Sequence, residues 1–285
     1  MTTIGLHTPN AFAGASRQGA ARIARLAEEL GYDSLWVADH VVLPSPFSAP
    51  SPLEPSAPLL DPVVSLAFMA AHTERILLAT GCVVLPQREP LVLAKQLASV
   101  DVLSGGRLVF GVAVGYLEPE LRALGVPLEG RGARAEEYLR AIRELWESEA
   151  PAFHGEHVSF KDVDAHPRPV QRPVPVVMGG HSRAAHRRAA ELADGWYGWM
   201  LGLRATAAQL ESLRALSGRP LHITVSPSRP LTPDTVRAYA DLGVDRLVAV
   251  PPPGLSLPEL EDFVRAHAPD SLVRAYAPAT TSPDS

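Results

Sequence analysis

Eight short apolar runs, each followed by a segment with helical periodicity, fill the chain almost from end to end, and that alternation limits the fold more than any other feature. The runs lie at 4–7, 34–38, 76–80, 108–112, 174–178, 195–199, 221–225 and 246–250. After the first, Ile23, Leu26, Ala27 and Leu30 fall at i, i+3, i+4 and i+7 before Gly31 ends the segment. Comparable segments follow at 63–72, 91–103, 182–193, 205–216, 233–242 and 257–267, and Tyr138, Ile142, Leu145 and Trp146 share one face of another. Strands separated by helices build parallel sheets. Eight such units predict a closed (β/α)8 TIM barrel, since doubly wound sheets usually stop earlier.

The 285 residues read as one domain over 1–277, with the tail 278–285 expected to be disordered. Two insertions, after strands 2 and 4, exceed a minimal barrel. Residues 44–62 hold seven prolines and follow the second strand, where either an active-site loop or an ordinary surface loop can sit. Residues 151–173 form the other, with 158–160 and Val163 read as a short hairpin.

Lys and Arg number 26 against 31 Asp and Glu, so no global basic field exists to hold nucleic acid or an anionic membrane surface. The single cysteine, Cys82, excludes an intrachain disulfide framework. With no signal peptide and no apolar run of membrane length, a cytoplasmic protein is expected. The histidines lack metal-ligand spacing, and no metal is expected.

In a barrel the chemistry sits where strands end. After the second strand stand Asp39 and His40, an acceptor and a proton shuttle, or else two caps of the following loop. Beyond the third, Thr80-Gly81-Cys82-Val83 carries apolar character onward, which suits a wall against a flat ligand or simply a longer strand. Cys82 reads as a small hydrophobe. Gly115 and Tyr116 follow the fourth strand. After the fifth, Met178-Gly179-Gly180-His181-Ser182 passes directly into a helix, offering glycine backbone and a helix N-terminus to an anion.

These residues, in this order, resemble the bacterial luciferase-like flavin and deazaflavin oxidoreductases, particularly the coenzyme F420-dependent branch. The resemblance is carried by residues 27–40, by Pro90–Lys95 leading to Leu103–Arg107, by 129–134, by Phe153-His154-Gly155, by Pro167–Pro175, and by Gly179–Ser182 through Ala193-Asp194-Gly195-Trp196. It implies a barrel that binds F420, or alternatively FMN, at its C-terminal mouth, with the phosphate at Gly179 and Gly180. Asp39 would lie near the polar edge of the ring and His40 near its reacting face. A non-proline cis peptide behind the ring maps onto Cys82-Val83. The cofactor set it implies is Asp39, Thr80, Cys82, Val83, Gly115, Met178, Gly179, Gly180, His181 and Ser182. In the sugar-phosphate dehydrogenases of the family a glutamate and a tryptophan occupy places held here by Tyr116 and Pro44.

The expected activity is hydride transfer between F420 and a small organic substrate, with His40 and Tyr116 catalytic. An FMN-dependent monooxygenase and a non-catalytic ligand-binding homologue are the alternatives. The apolar segment around Val63-Val64 and Leu66–Ala71 points to a homodimer.

Overall fold

In a computed structural model that describes residues 1–273, eight parallel strands close on themselves. They are β1 (Thr3–His7), β2 (Ser34–Val37), β3 (Leu77–Thr80), β4 (Leu108–Ala113), β5 (Val176–Gly179), β6 (Gly195–Leu201), β7 (His222–Pro227) and β8 (Arg246–Ala249). Closure comes from β8 pairing with β1, where Ile4 lies opposite Leu247 and Leu6 opposite Ala249. The outer layer is α1 (Arg17–Glu29), α2 (Pro62–Ala70), α3 (Pro90–Ser104), α4 (Arg131–Glu147), α5 (Arg183–Leu192), α6 (Leu203–Arg214), α7 (Pro233–Asp241) and α8 (Leu257–Ala266). The expected TIM barrel is the observed one, and the tail 278–285 lies outside the described residues.

Helix starts follow local chemistry. Asp61 caps α2 by accepting from Val63 N and Val64 N, with Pro62 at the first helical position. Glu89 does the same for α3 through Val92 N, and Gly105, at φ +69°, ends that helix as a left-handed cap.

The core has two parts. A large one joins the outer strand faces to the helices, and a small one fills the barrel interior with Trp36, Ala79, Val109, Val177, Tyr197 and Val248. Trp36 and Tyr197 meet at 5.0 Å between ring centroids. Gly5 makes the space, because a Cβ there would lie 3.0 Å from Trp36 Nε1. The interior is thus packed beneath the mouth, and a ligand must bind above this layer.

Several boundaries shift. The fifth strand starts at Val176 rather than 174, and β6 runs on to Leu201. The hairpin pairs Phe153–His154 with Ser159–Phe160, so Val163 lies outside it. A short helix at Glu118–Ala123, not expected from the sequence, follows β4.

Candidate active site

The reading of the segment after β3 as a longer strand holds in part. The strand breaks at Gly81-Cys82 and then resumes, with Val83 and Val84 pairing with Val112 and Ala113 of β4. The non-proline cis peptide joins Gly81 to Cys82, one residue before the place expected, Cys82-Val83. Around the break the β3–β4 ladder is bridged by Thr80, whose hydroxyl donates to Gly111 O at 2.7 Å and accepts from Gly111 N at 2.8 Å. That hydroxyl is spent on the frame of the site. A Cβ at Gly111 would stand 1.9 Å from Thr80 O, so only glycine permits this approach.

Cys82 packs between two glycines: an added Cβ would lie 3.4 Å from its Sγ at Gly111 and 3.0 Å at Gly179. Burial, with the Asp39 charge adding to it, pushes the thiol up to about 12, which leaves an inert small hydrophobe. Behind the bulge, His7 at the end of β1 approaches Gly81 O through Nε2 at 3.2 Å. A carbonyl only accepts, so Nε2 carries the proton and Nδ1 is an acceptor; that buried Nδ1 has no partner. Burial lowers His7 to about 4, against the opposing bond to Gly81, and the ring is neutral. Trp199 of β6 covers it at 4.5 Å between centroids.

Asp39 is 4% exposed and holds the resumed strand, accepting from Val84 N at 3.0 Å. Arg88 bonds both Asp39 and Asp61, the latter at 2.7 Å, and so ties the bulge to the start of α2. Burial raises the Asp39 carboxyl, and Arg88 and the Val84 N–H offset this only in part. The proline-rich loop is fastened at both ends: Asn10 donates to Ala38 O and Leu60 O and accepts from Ala38 N. Between them, Val41, Val42 and Phe47 are exposed.

His40 meets Glu120 of the short helix, Nδ1 to Oε2 at 2.8 Å, while Val41 N donates to Oε1 at 2.6 Å. Burial works to raise the Glu120 carboxyl, but the His40 hydrogen bond and the Val41 N–H outweigh it, and the group lies below its ordinary value. The Tyr116 ring stands edge-on to His40 at 6.3 Å and is 54% exposed. Gly115 beside it has φ +79°, and a Cβ there would meet Val84 Cγ1 at 2.6 Å.

Across the mouth, Met178 is buried and the chain turns through Gly180 at φ +119°. Trp196 Nε1 fixes the turn by donating to Gly180 O at 2.8 Å. Ser182 caps α5, accepting from Ala185 N. His181 accepts from Trp199 N through Nε2 at 3.1 Å, and burial lowers its pKa, so it joins the turn as a neutral side chain. Thus His40, Tyr116, Asp39, Cys82 and Val83 gather on the β2–β4 side, and Gly179 to Ser182 on the β5 side.

The sequence reading missed His7, Arg88 and Glu120. His7 ends a strand as Asp39 nearly does, and the strand-end rule would have found it. Glu120 carried no signal, because a carboxylate on a polar helix is ordinarily a surface residue. Among the described residues no His, Cys, Asp or Glu group is placed to hold a metal, and no helix is long and apolar enough to cross a membrane.

Residues 2–251 match the family described as Luciferase-like monooxygenase. The chain belongs to that family, whose members are F420- or flavin-dependent oxidoreductases and monooxygenases. An uncharacterized Mycobacterium tuberculosis protein is 34% identical over 241 residues, 80% of this chain and 85% of the relative. The F420-dependent glucose-6-phosphate dehydrogenase of Kineococcus radiotolerans is 33% identical over 62% of this chain and 50% of its own length. The FMNH(2)-dependent dimethylsulfone monooxygenase of Pseudomonas putida is 34% identical over 57% and 46%. The monooxygenase RslO1 from Streptomyces bottropensis shares the fold, at TM-score 0.79 and 24% identity over 97% of this chain and 100% of that one.

Proposed function

We propose that the protein binds coenzyme F420 at the C-terminal mouth and moves a hydride between it and a small organic substrate. The observation that carries this reading is the floor of the mouth, where Gly81, Gly111 and Gly179 let Trp36, Thr80 and Cys82 pack closely into one layer with no side chain of their own standing in it. Beside that floor lies the unpartnered acceptor His7 Nδ1. A flat, polar-edged ring is the class of ligand such a floor suits. The Gly179–Ser182 turn, with the N–H groups opening α5, would hold its phosphate. Asp39 serves this site by fixing the bulge through Val84 N.

When bound, the cofactor supplies the hydride chemistry. The protein's part is to position the reactants and move the proton. Hydride arrival at a carbonyl carbon leaves an alkoxide that must be protonated, and the reverse reaction must remove a hydroxyl proton; His40 is the group for either. Tyr116, exposed and edge-on to His40, would orient the substrate. Exposed Val41, Val42, Trp199 and Met200 give the rim an apolar character. An FMN-dependent monooxygenase is the second reading, favoured by the Pseudomonas putida relative.

We also propose a homodimer. Helix α2 buries Val63, Leu66 and Met69 against its own barrel and leaves Val64 66% exposed, while α3 exposes Val92 and Leu103. Light scattering at micromolar concentration should give twice the chain mass; a monomer would refute the pairing.

Turnover is tested with F420 and a panel of small alcohols, ketones and enones, followed by F420 absorbance. Wild type should turn over at least one class and His40→Ala should lose about 10²–10⁴-fold, with cofactor affinity nearly unchanged. An equally active His40→Ala variant would remove His40 from the chemistry.

A further inference from the structure

The geometry points to Glu120 as a positioning residue that locks His40 in one tautomer and leaves Nε2 as its sole proton-transfer atom; this rests on the assignment of His40 to proton transfer. Glu120 is 1% exposed, and a carboxylate is not buried without compensation. It comes from a helix of six residues, reaching 80 residues back along the chain to His40. Its two oxygens have different partners. Oε1 takes the Val41 backbone N–H at 2.6 Å, a donor whose direction the main chain fixes. Oε2 takes His40 Nδ1 at 2.8 Å.

An ionised carboxylate only accepts, so Nδ1 must carry a hydrogen whether His40 is neutral or cationic. The exchangeable position is then Nε2. A neutral ring offers Nε2 as a lone pair to a hydroxyl proton, and a cationic ring offers Nε2–H to an alkoxide. In both directions the bond that forms and breaks is at that one atom, and the Glu120 charge offsets the charge His40 gains. Arg88, the cation placed by the bulge, is bound to Asp39 and Asp61, and the Gln87 side chain adds a hydrogen bond to the Glu120 carboxylate. Tyr116 stands edge-on to the imidazole at 6.3 Å between centroids.

Glu120→Gln separates positioning from packing, because the amide keeps the shape and has one acceptor oxygen. The Val41 N–H can only donate and its direction is fixed by the main chain, so it takes that oxygen, while the Gln87 side chain can rotate, and the amide NH₂ is turned toward Nδ1. The ring should then switch to the Nε2–H tautomer. Nitrogen-15 NMR of histidine-labelled, cofactor-free protein at about pH 9, above the ordinary imidazole range, reads this directly. We expect Nδ1–H in wild type and Nε2–H in Glu120→Gln. Turnover should fall by about 10²-fold or more, with KM and cofactor affinity within about threefold, as loss of a tautomer-fixing carboxylate does in catalytic triads. Wild type in the Nε2–H form, an unchanged tautomer in the variant, or undiminished turnover would each overturn the inference. If Glu120→Gln fails to fold, the wild-type spectrum alone still decides it. The tautomer is read without cofactor, so failure of F420 to bind would count against the proposed function and not against this pairing.

Discussion

Two buried side chains at opposite ends of the barrel, Arg107 and His7, meet opposite fates. At the N-terminal end Arg107, just before β4, donates to Ser104 O, Thr73 Oγ1, Ile76 O, Ala70 O and Thr73 O, so every guanidinium N–H has an acceptor. Glu28 accepts from the backbone N–H groups of Glu74, Arg75 and Ile76, and Arg246 pairs with Asp33 at 2.7 Å. At the C-terminal end His7 Nδ1, Gln87 Oε1 and Arg88 Nε are buried without partners, and apolar Trp199, Met200 and Phe47 face solvent. Satisfied polar groups contribute to stability, whereas unsatisfied ones beside exposed apolar surface are what a ligand would complete. On the proposed function, one end maintains the fold and the other serves the ligand.

The contrast can be broken most severely at the base. Arg107→Met leaves the carbonyls of Ala70, Thr73, Ile76 and Ser104 without their donor, and denaturant unfolding should show a loss of about 3–5 kcal/mol. A loss under about 1 kcal/mol would mean that water replaces the guanidinium easily. At the mouth, His40→Ala should cost turnover, as above, with less stability lost than Arg107→Met loses. If it destabilised the protein as much, the division between the two ends would fail.

An acid titration sharpens the comparison. His7 stands at about 4 folded against 6.5 as the ordinary value, so between those pH values the unfolded chain binds the proton more readily. Stability should therefore fall as pH drops from 6.5 to about 4 and then level off, by about 3 kcal/mol in order of magnitude from this group. His7→Phe should flatten that slope. Equal slopes in the two proteins would show that His7 accepts a proton in the fold.

The smallest effect is expected at the turn. Gly180→Ala puts a side chain at φ +119° with its Cβ 2.9 Å from that of Ala185, and should cost about 1–3 kcal/mol and weaken binding of a phosphate-bearing cofactor. Full stability in that variant would mean that the turn relaxes without consequence.

The barrel was legible because a helix announces itself by which residues recur and a parallel strand by its unbroken apolar run. Val176-Val177-Met178 and Leu108-Val109-Phe110 are both such strands. The strand-end residues Asp39 and His40 were legible for the same reason, since finding the strand fixes its end. Glu120 was not, because nothing in Glu118-Pro119-Glu120 distinguishes the exposed Glu118 from the buried Glu120; only the closure of the helix onto the β2 loop does. Thr80 was legible as a strand-end residue, yet its hydroxyl serves Gly111, a pairing visible only once the ladder is seen to break at Gly81. The bulge fell one residue from its expected place because local propensities do not favour one apolar peptide bond over the next.

The central claim is that the mouth is a cofactor site above a floor that its glycines allow to pack flat. Titrating F420 and FMN separately into the wild-type protein, by fluorescence and absorbance, tests it most directly. The account predicts saturable binding of one cofactor per chain, with F420 tighter than FMN and both weakened by Gly180→Ala. Tighter FMN binding would contradict the assignment of F420, and no binding of either would contradict the site itself.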